Sequence, residues 1–280
     1  AVTVLQGLYS QLESGKSLDA GDIEAAIRMP GEFFELGSKK TVLEGNKQRS
    51  VRSPFEIKTR KKSISPRTIA QKRYVGNLLD GDITFGVGPA GTGKTYLAIA
   101  VGVSMYLTGI ADKIILTRPA VEAGERLGFL PGDMKEKVDP YMQPLYDALQ
   151  DCLPGKQISK MIEDKIIEIA PLAFMRGRTL SNSFVVLDEA QNTTEMQMKM
   201  FLTRLGENSR MVITGDISQV DLPRGIKSGL VSAVKVLKDV KGVSFSMFNS
   251  SDVVRHHVVT RIIKAYEAFE NSQRKHKETS

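Results

Sequence analysis

The sequence predicts an α/β fold, a three-layer sandwich around a mostly parallel central sheet. Three observations predict it. Short apolar runs recur at Ile83–Val87, Lys113–Thr117, Phe184–Leu187, Met211–Thr214 and Val243–Phe248, flat on both faces as buried parallel strands are. Helical segments at Thr95–Leu107, Thr194–Leu205, Gly225–Leu237 and Val253–Phe269 alternate with them, giving a βαβ succession. The first of these strands also runs into a glycine-rich turn that opens the first of these helices.

Taken in chain order, residues 1–28 read as two short helices separated by the interruption Ser17–Asp22. The amphipathic start lacks the basic lead and apolar run of a secretory signal. From Met29 to about Pro66 the periodicity fades while Gly, Ser, Lys and Arg accumulate, which suggests a linker with a hairpin near Gly45-Asn46. Residues 1–64 are therefore assigned to a partial N-terminal module and basic linker, and 65–270 to the main domain. Within that domain Gly124–Ala170, with Pro131, Pro140, Pro144 and Pro154, breaks the βα rhythm and reads as an insertion suited to a lid or a partner surface. Residues 271–280 form a charged tail.

Composition narrows the function classes. Hydrophobic residues make up 41% and charged residues 25% of the 280, an ordinary balance for a globular protein. No stretch approaches the ~20 apolar residues of a membrane span. Cys152 is the only cysteine, which excludes an intrachain disulfide and fits a cytoplasmic location. The net charge of +7 is concentrated: residues 39–73 hold twelve Lys/Arg against Glu44 and Glu56, a net +10. Such a tract suits either a polyanion-binding arm or a solvated linker.

Three segments carry chemistry. Gly88-Pro89-Ala90-Gly91-Thr92-Gly93-Lys94-Thr95 matches the phosphate-loop pattern G-x-x-x-x-G-K-[ST] at every position, after a strand and before a helix. Glycines there let backbone N–H groups face phosphates, and the helix N-terminus adds its positive end. Lys94 is assigned to the β- and γ-phosphates, and Thr95 to Mg²⁺. Phe184-Val-Val-Leu-Asp188-Glu189 is a buried strand ending in two acids, with Asp188 assigned to the metal and Glu189 to the attacking water. Met211-Val-Ile-Thr-Gly-Asp216-Ile-Ser-Gln219 ends a further strand, with Gln219 a γ-phosphate sensor and Asp216 an acid that orients neighbouring basic groups, or both ordinary turn residues. The expected ligands are ATP and Mg²⁺. Thr194-Glu-Met-Gln197 has the spacing of a capping box.

Together these motifs resemble those of superfamily-1 helicases and, more closely, the PhoH family of bacterial P-loop ATPases. The resemblance covers about residues 65–268 and rests on Thr117-Arg-Pro-Ala-Val-Glu-Ala-Gly-Glu125, Leu127–Asp133, Lys137–Asp147, Ile169–Leu180, Leu187–Thr194 and Asp252-Val-Val-Arg-His256. It implies a RecA-like P-loop NTPase domain, a homo-oligomeric ring with a hexamer expected, cytoplasmic location and a role in RNA metabolism. Long-form members carry a KH-like module, of which the opening helix fits as the last element. The start of such a module, with its GxxG loop, is not part of these 280 residues, so RNA binding of that type is not expected of them.

Superfamily-1 helicases take an arginine finger from a second domain. Here the resemblance points to Arg255 first and Arg204 second, acting within the domain or from a neighbouring subunit. By position, Arg118 and Arg176-Gly-Arg178-Thr179 are candidates for single-stranded RNA, with Phe174 or Tyr141 for stacking. Three functions compete on this reading. One is an RNA-stimulated motor, and another is an ATP-dependent adaptor that docks an endoribonuclease in ribosomal RNA maturation. The third, a kinase or an ATPase on another substrate, suits Glu189 less well than water attack does.

Overall fold

The computed structural model of the protein describes residues 2–13, 22–23, 26–27, 55–119, 134–254, 258 and 262. At the N-terminus, helix α1 (Val2–Glu13) packs Val4 and Leu8 with Ala26 in a small cluster of its own. The expected hairpin at Gly45-Asn46 lies outside the described residues. An antiparallel pair does occur further on, β1 (Ile57–Lys58) with β2 (Ser63–Ile64).

The main domain begins with helix α2 (Ile69–Asp80), started by Thr68, whose hydroxyl accepts from Gln71 N. Then follow β3 (Ile83–Val87), α3 (Lys94–Leu107), β4 (Lys113–Arg118), α4 (Met134–Cys152), α5 (Gly155–Glu163) and β5 (Ile167–Pro171). The chain continues through β6 (Ser183–Leu187), α6 (Glu195–Leu202), β7 (Arg210–Gly215), α7 (Gly229–Val236) and β8 (Val243–Met247). The capping box at Thr194 and Gln197 forms as the spacing requires.

The six longer strands build one sheet in the order β5-β4-β6-β7-β3-β8, every pairing parallel. Alternate side chains feed two cores. Phe184, Val186, Ile114, Leu116 and Val212 face one layer with Tyr74, Leu97, Val101 and Leu149 of α2, α3 and α4. Phe85, Val87, Val185, Leu187 and Ile213 face the other with Met198, Phe201 and Leu230 of α6 and α7. This is the three-layer α/β sandwich expected from the flat apolar runs.

Two features differ from the sequence reading. Of the stretch Gly124–Ala170 read as an insertion, the part from 134 onward, which the structure describes, belongs to the sheet domain: α4 and α5 cover the sheet and β5 forms its edge, pairing in parallel with β4 from Ile114↔Ile167 to Arg118↔Pro171. The prolines at 140 and 144 lie inside α4, which tolerates them. The basic tract also contributes to the fold. Lys61 donates from its backbone to Cys152 O and from its ammonium to Gln150 O, at the carbonyl end of α4 where a cation is favoured. Lys62 pairs with Asp151. The proposed C-terminal helix Val253–Phe269 lies almost wholly outside the described residues.

The close approach of α3 to the sheet depends on Gly102, where an added Cβ would stand 2.6 Å from Cδ1 of the fully buried Phe184 ring. Gly to Ala in a helix interior ordinarily gains about 1 kcal/mol of propensity. Gly102→Ala should instead destabilise the domain by about 1–3 kcal/mol through overpacking, as read by urea denaturation. A gain in stability would mean that Phe184 moves aside freely.

Candidate nucleotide and catalytic site

Because all six strands run the same way, the segments leaving β3, β4, β6, β7 and β8 gather at one edge of the sheet, where open α/β sheets bind ligands. The loop after β3 is shaped by its glycines. A Cβ on Gly88 would lie 2.4 Å from Phe248 O, and Gly93 caps α3 at φ 80°, a left-handed conformation that favours glycine. Gly88 N donates to Gly215 O at 3.1 Å, and Val254 N to Gly91 O at 3.0 Å, fixing the loop against the ends of β7 and the segment after β8.

Lys94 is buried. Its ammonium donates to Gly88 O and Pro89 O, each at 2.7 Å, and to Thr92 Oγ1 at 3.3 Å. From α2, Gln71 Nε2 donates to Thr92 O at 3.1 Å while its Oε1 accepts from Arg67 N at 2.6 Å. Gln71 thus braces the loop from behind, a role that sequence reading missed because a lone Gln in a charged stretch carries no signature.

Across from the loop stands Asp188, its side chain 4% exposed. Oδ1 accepts from Thr95 Oγ1 at 2.6 Å and from Thr214 Oγ1 at 2.7 Å. Oδ2 accepts from Arg118 Nε at 2.8 Å and Nη2 at 2.5 Å. The third arm of Arg118, Nη1, donates to Tyr141 O of α4 at 2.8 Å. Arg118 was expected among nucleic-acid contacts; in the fold its guanidinium lies on Asp188. Thr214 was not singled out in the sequence, since a threonine inside a strand is ordinary.

Glu189 follows in a left-handed backbone conformation (φ 54°, ψ 37°), which costs a non-glycine residue on the order of 1–2 kcal/mol. The bend turns β6 sharply into a 3₁₀ turn at Ala190–Asn192 and brings both acids to the same opening. Glu189 Oε2 accepts from Gln191 Nε2 at 2.6 Å, and Gln191 Oε1 accepts from Asp216 N at 3.1 Å. Asp216 in turn accepts from Ser218 N and Oγ on Oδ1 and from Gln219 Nε2 at 2.7 Å on Oδ2. Buried Gln191 therefore joins the two strand ends, and Asp216 orients Gln219 rather than a basic group. Gly215 leaves room for this bridge, because a Cβ there would meet Gln191 Oε1 at 2.7 Å.

Lys94, Thr95, Asp188, Glu189, Asp216 and Gln219 all line a single cleft of about 260 Å³. A second cleft of about 430 Å³ adjoins it past Thr95 and Glu189, walled by Arg118 and by Asp147 and Asp151 of α4. Asp151 accepts from Tyr96 Oη at 2.8 Å. Burial opposes its ionisation, but the hydrogen bonds from Lys62 and Tyr96 and the nearby Lys61 charge hold its carboxyl below the usual carboxylate range. Burial and the Asp151 hydrogen bond push the Tyr96 phenol up.

The oxygen donors fit Mg²⁺. Thr95 and Asp188 present hard ligands 2.6 Å apart, and among the described residues no group of three or more His, Cys, Asp or Glu forms an all-protein cage. Mg²⁺ suits such a site, because it is usually held by one or two carboxylates together with substrate phosphates.

Other expected residues lie elsewhere. Arg255 is outside the described residues. Arg204 donates to Met200 O, Arg178 O and Thr203 Oγ1, and is not in the cleft wall. Arg178 makes a two-pronged pair with Glu168 at 2.5 and 2.7 Å, which holds its guanidinium protonated above its ordinary value. Arg176 and Phe174 are exposed beside it. No helix among the described residues is long and apolar enough to cross a membrane.

Comparison with known proteins agrees with the motifs. The family described as PhoH-like protein matches residues 63–267. A PhoH-like protein of Bacillus subtilis (strain 168) is 50% identical over 268 residues, which are 94% of this chain and 80% of that protein. A PhoH-like protein of Mycobacterium tuberculosis (strain ATCC 25618 / H37Rv) is 49% identical over 276 residues, 96% of this chain and 74% of that one. Protein PhoH of Escherichia coli (strain K12) is 44% identical over 205 residues, 72% of this chain and 58% of its own length.

The hydroxyl of Thr214 serves a buried charge. Thr214→Val, which keeps the shape, should lower stability by about 1.5–3 kcal/mol, the worth of a hydrogen bond to a charged group. Chemical denaturation measures this directly, and an unchanged midpoint would show that Asp188 does not depend on that donor.

Proposed function

Because the chain belongs to the PhoH-like protein family, we propose that the cleft hydrolyses ATP with Mg²⁺ and that the chain works as an oligomeric RNA-associated ATPase. The observation that carries the reading is the convergence of Lys94, Thr95, Asp188 and Glu189 on one opening. The N–H groups of the loop and the first turn of α3 suit the phosphates, and Lys94 can turn from the Gly88 and Pro89 carbonyls to the β- and γ-phosphate oxygens. Bound Mg²⁺ supplies positive charge to those oxygens, and Thr95 and Asp188 would hold it. Glu189 accepts the proton of the attacking water. As the new water O–P bond forms, the bond between the γ-phosphorus and the bridging oxygen breaks, leaving ADP and inorganic phosphate. Gln219, oriented by Asp216, lies at the same opening and suits a contact to the γ-phosphate or to the water.

The RNA assignment is supported by the basic tract and by the helicase-like motifs. Lys61 and Lys62 are engaged with α4, so Lys58 and Arg60 of the β1–β2 pair, together with Arg176 and Phe174, are the exposed groups proposed for phosphate and base contacts. Ring assembly is proposed to bring Arg255 of one copy to the cleft of another, where a trans arginine raises phosphoryl transfer by ~10³–10⁵.

Glu189→Gln should retain nucleotide binding while turnover drops by about 10²–10⁴, measured by phosphate release. Normal turnover in that variant would remove Glu189 from the chemistry. With that variant as the blank, single-stranded RNA at low salt should stimulate hydrolysis. Charge reversal at Lys58 and Arg60 should reduce the stimulation and make it less salt-sensitive. Hydrolysis indifferent to RNA would leave the ATPase and discard the RNA-coupled motor.

A further inference from the structure

Asp188 carries its charge in a nearly closed environment, and the two oxygens of its carboxylate are treated differently. Oδ1 is bound only by the neutral hydroxyls of Thr95 and Thr214, while Oδ2 is bound by two N–H groups of one guanidinium. A buried carboxylate needs a countercharge, and Arg118 is the cation hydrogen-bonded to it. Arg118 is itself only 14% exposed, and it lies 3.9 Å from Glu189 Oε1. Its remaining bond, to Tyr141 O, anchors it to α4. The guanidinium is thus tied both to the acid and to α4.

We propose that Arg118 is a positioning residue that acts as a resident countercation for Asp188 and thereby sets the affinity of the site for its divalent metal. The proposal rests on the reading of the cleft as an ATPase site. A metal held by Thr95 and Asp188 shares one carboxylate with a fixed positive charge, and like charges a few ångströms apart in a poorly solvated site weaken each other's binding. The phosphates of a nucleotide add the negative charge that offsets this repulsion. Metal uptake is therefore tied to nucleotide arrival, and the site does not hold a metal tightly by itself. The same guanidinium lies 3.9 Å from Glu189 Oε1, so its loss should also slow turnover.

Mn²⁺ binding followed by electron paramagnetic resonance tests this, using the full chain with and without ADP. In Arg118→Gln the Mn²⁺ concentration that half-saturates the ADP complex should fall about ten-fold, because the competing charge is gone. Mn²⁺ binding without nucleotide should become detectable, while ADP affinity in the presence of a chelator stays within about two-fold of the parent, since that charge faces the metal oxygens rather than the loop. Arg118→Lys, which keeps the charge but not the fork, should bind Mn²⁺ like the parent. An Arg118→Gln curve that superimposes on the parent, or lies to weaker binding, would overturn the proposal. If Arg118→Gln does not fold, the parent still decides: the Arg118 Nε–H resonance of the ADP complex should shift on adding Mg²⁺, and an unmoved resonance rejects a shared carboxylate. A parent that neither binds ADP nor hydrolyses ATP would instead defeat the ATPase reading itself.

Discussion

The buried carboxylate of Asp188 is the constraint around which the cleft edge of the sheet is organised. It takes hydrogen bonds from the first turn of α3, the end of β7 and the end of β4, so that three elements distant in sequence are held to the end of β6 by one side chain. Each donor satisfies part of a charge that burial would otherwise make costly. The phosphate loop is tied to this arrangement through Thr95, and α4 through Arg118 and Tyr141. A second bridge, from Glu189 through Gln191 to Asp216 and Gln219, extends the same organisation along the strand ends.

The central strands were legible because both of their faces are buried, which turns them into uninterrupted apolar runs. Edge strand β5 was not, since Ile167-Glu-Ile-Ala-Pro171 is only partly buried and carries Glu168, whose charge is used by Arg178. Its proline at the strand end suits an edge and reads in sequence as a break. Helix α2 was hidden for a different reason: Tyr74, Val75 and Leu78 supply its buried face, but Lys72 and Arg73 sit among them and made the segment look like more of the basic tract. In the site, the residues with fixed spacing (Gly88–Thr95 and Asp188-Glu189) could be read directly. The pairing of Arg118 with Asp188, and the places of Thr214, Gln191 and Gln71, could not, because each is defined by a partner that only the fold brings near.

The charge distribution also looks different once folded. A net +10 between residues 39 and 73 suggested a free basic arm, yet Lys61 and Lys62 are bound at the end of α4, and Arg67 pairs with Asp22 at 3.3 Å. Part of that tract therefore forms surface contacts that tie the β1–β2 pair to α4. Through Asp151 and Tyr96, the same contacts reach the residue next to Thr95. Sequence charge counts all these cations alike, whereas the fold separates those engaged by local carbonyls and acids, such as Lys61, Lys62 and Arg67, from the others.

The placement of β7 between β3 and β6 works as a ruler. Neighbouring strands lie about 4.8 Å apart, so one intervening strand sets the backbone ends of β3 and β6 roughly 10 Å from each other. That width leaves the phosphate loop and the acids on opposite banks, with the end of β7 at Gly215 as the floor between them. Were β3 and β6 adjacent, the gap would shrink to about 5 Å, too narrow for a phosphoryl group and a water to lie between them. Sheet order thus acts as a size filter written in whole strands: the tolerance of the cleft comes in steps of one strand, and loop changes can only trim it.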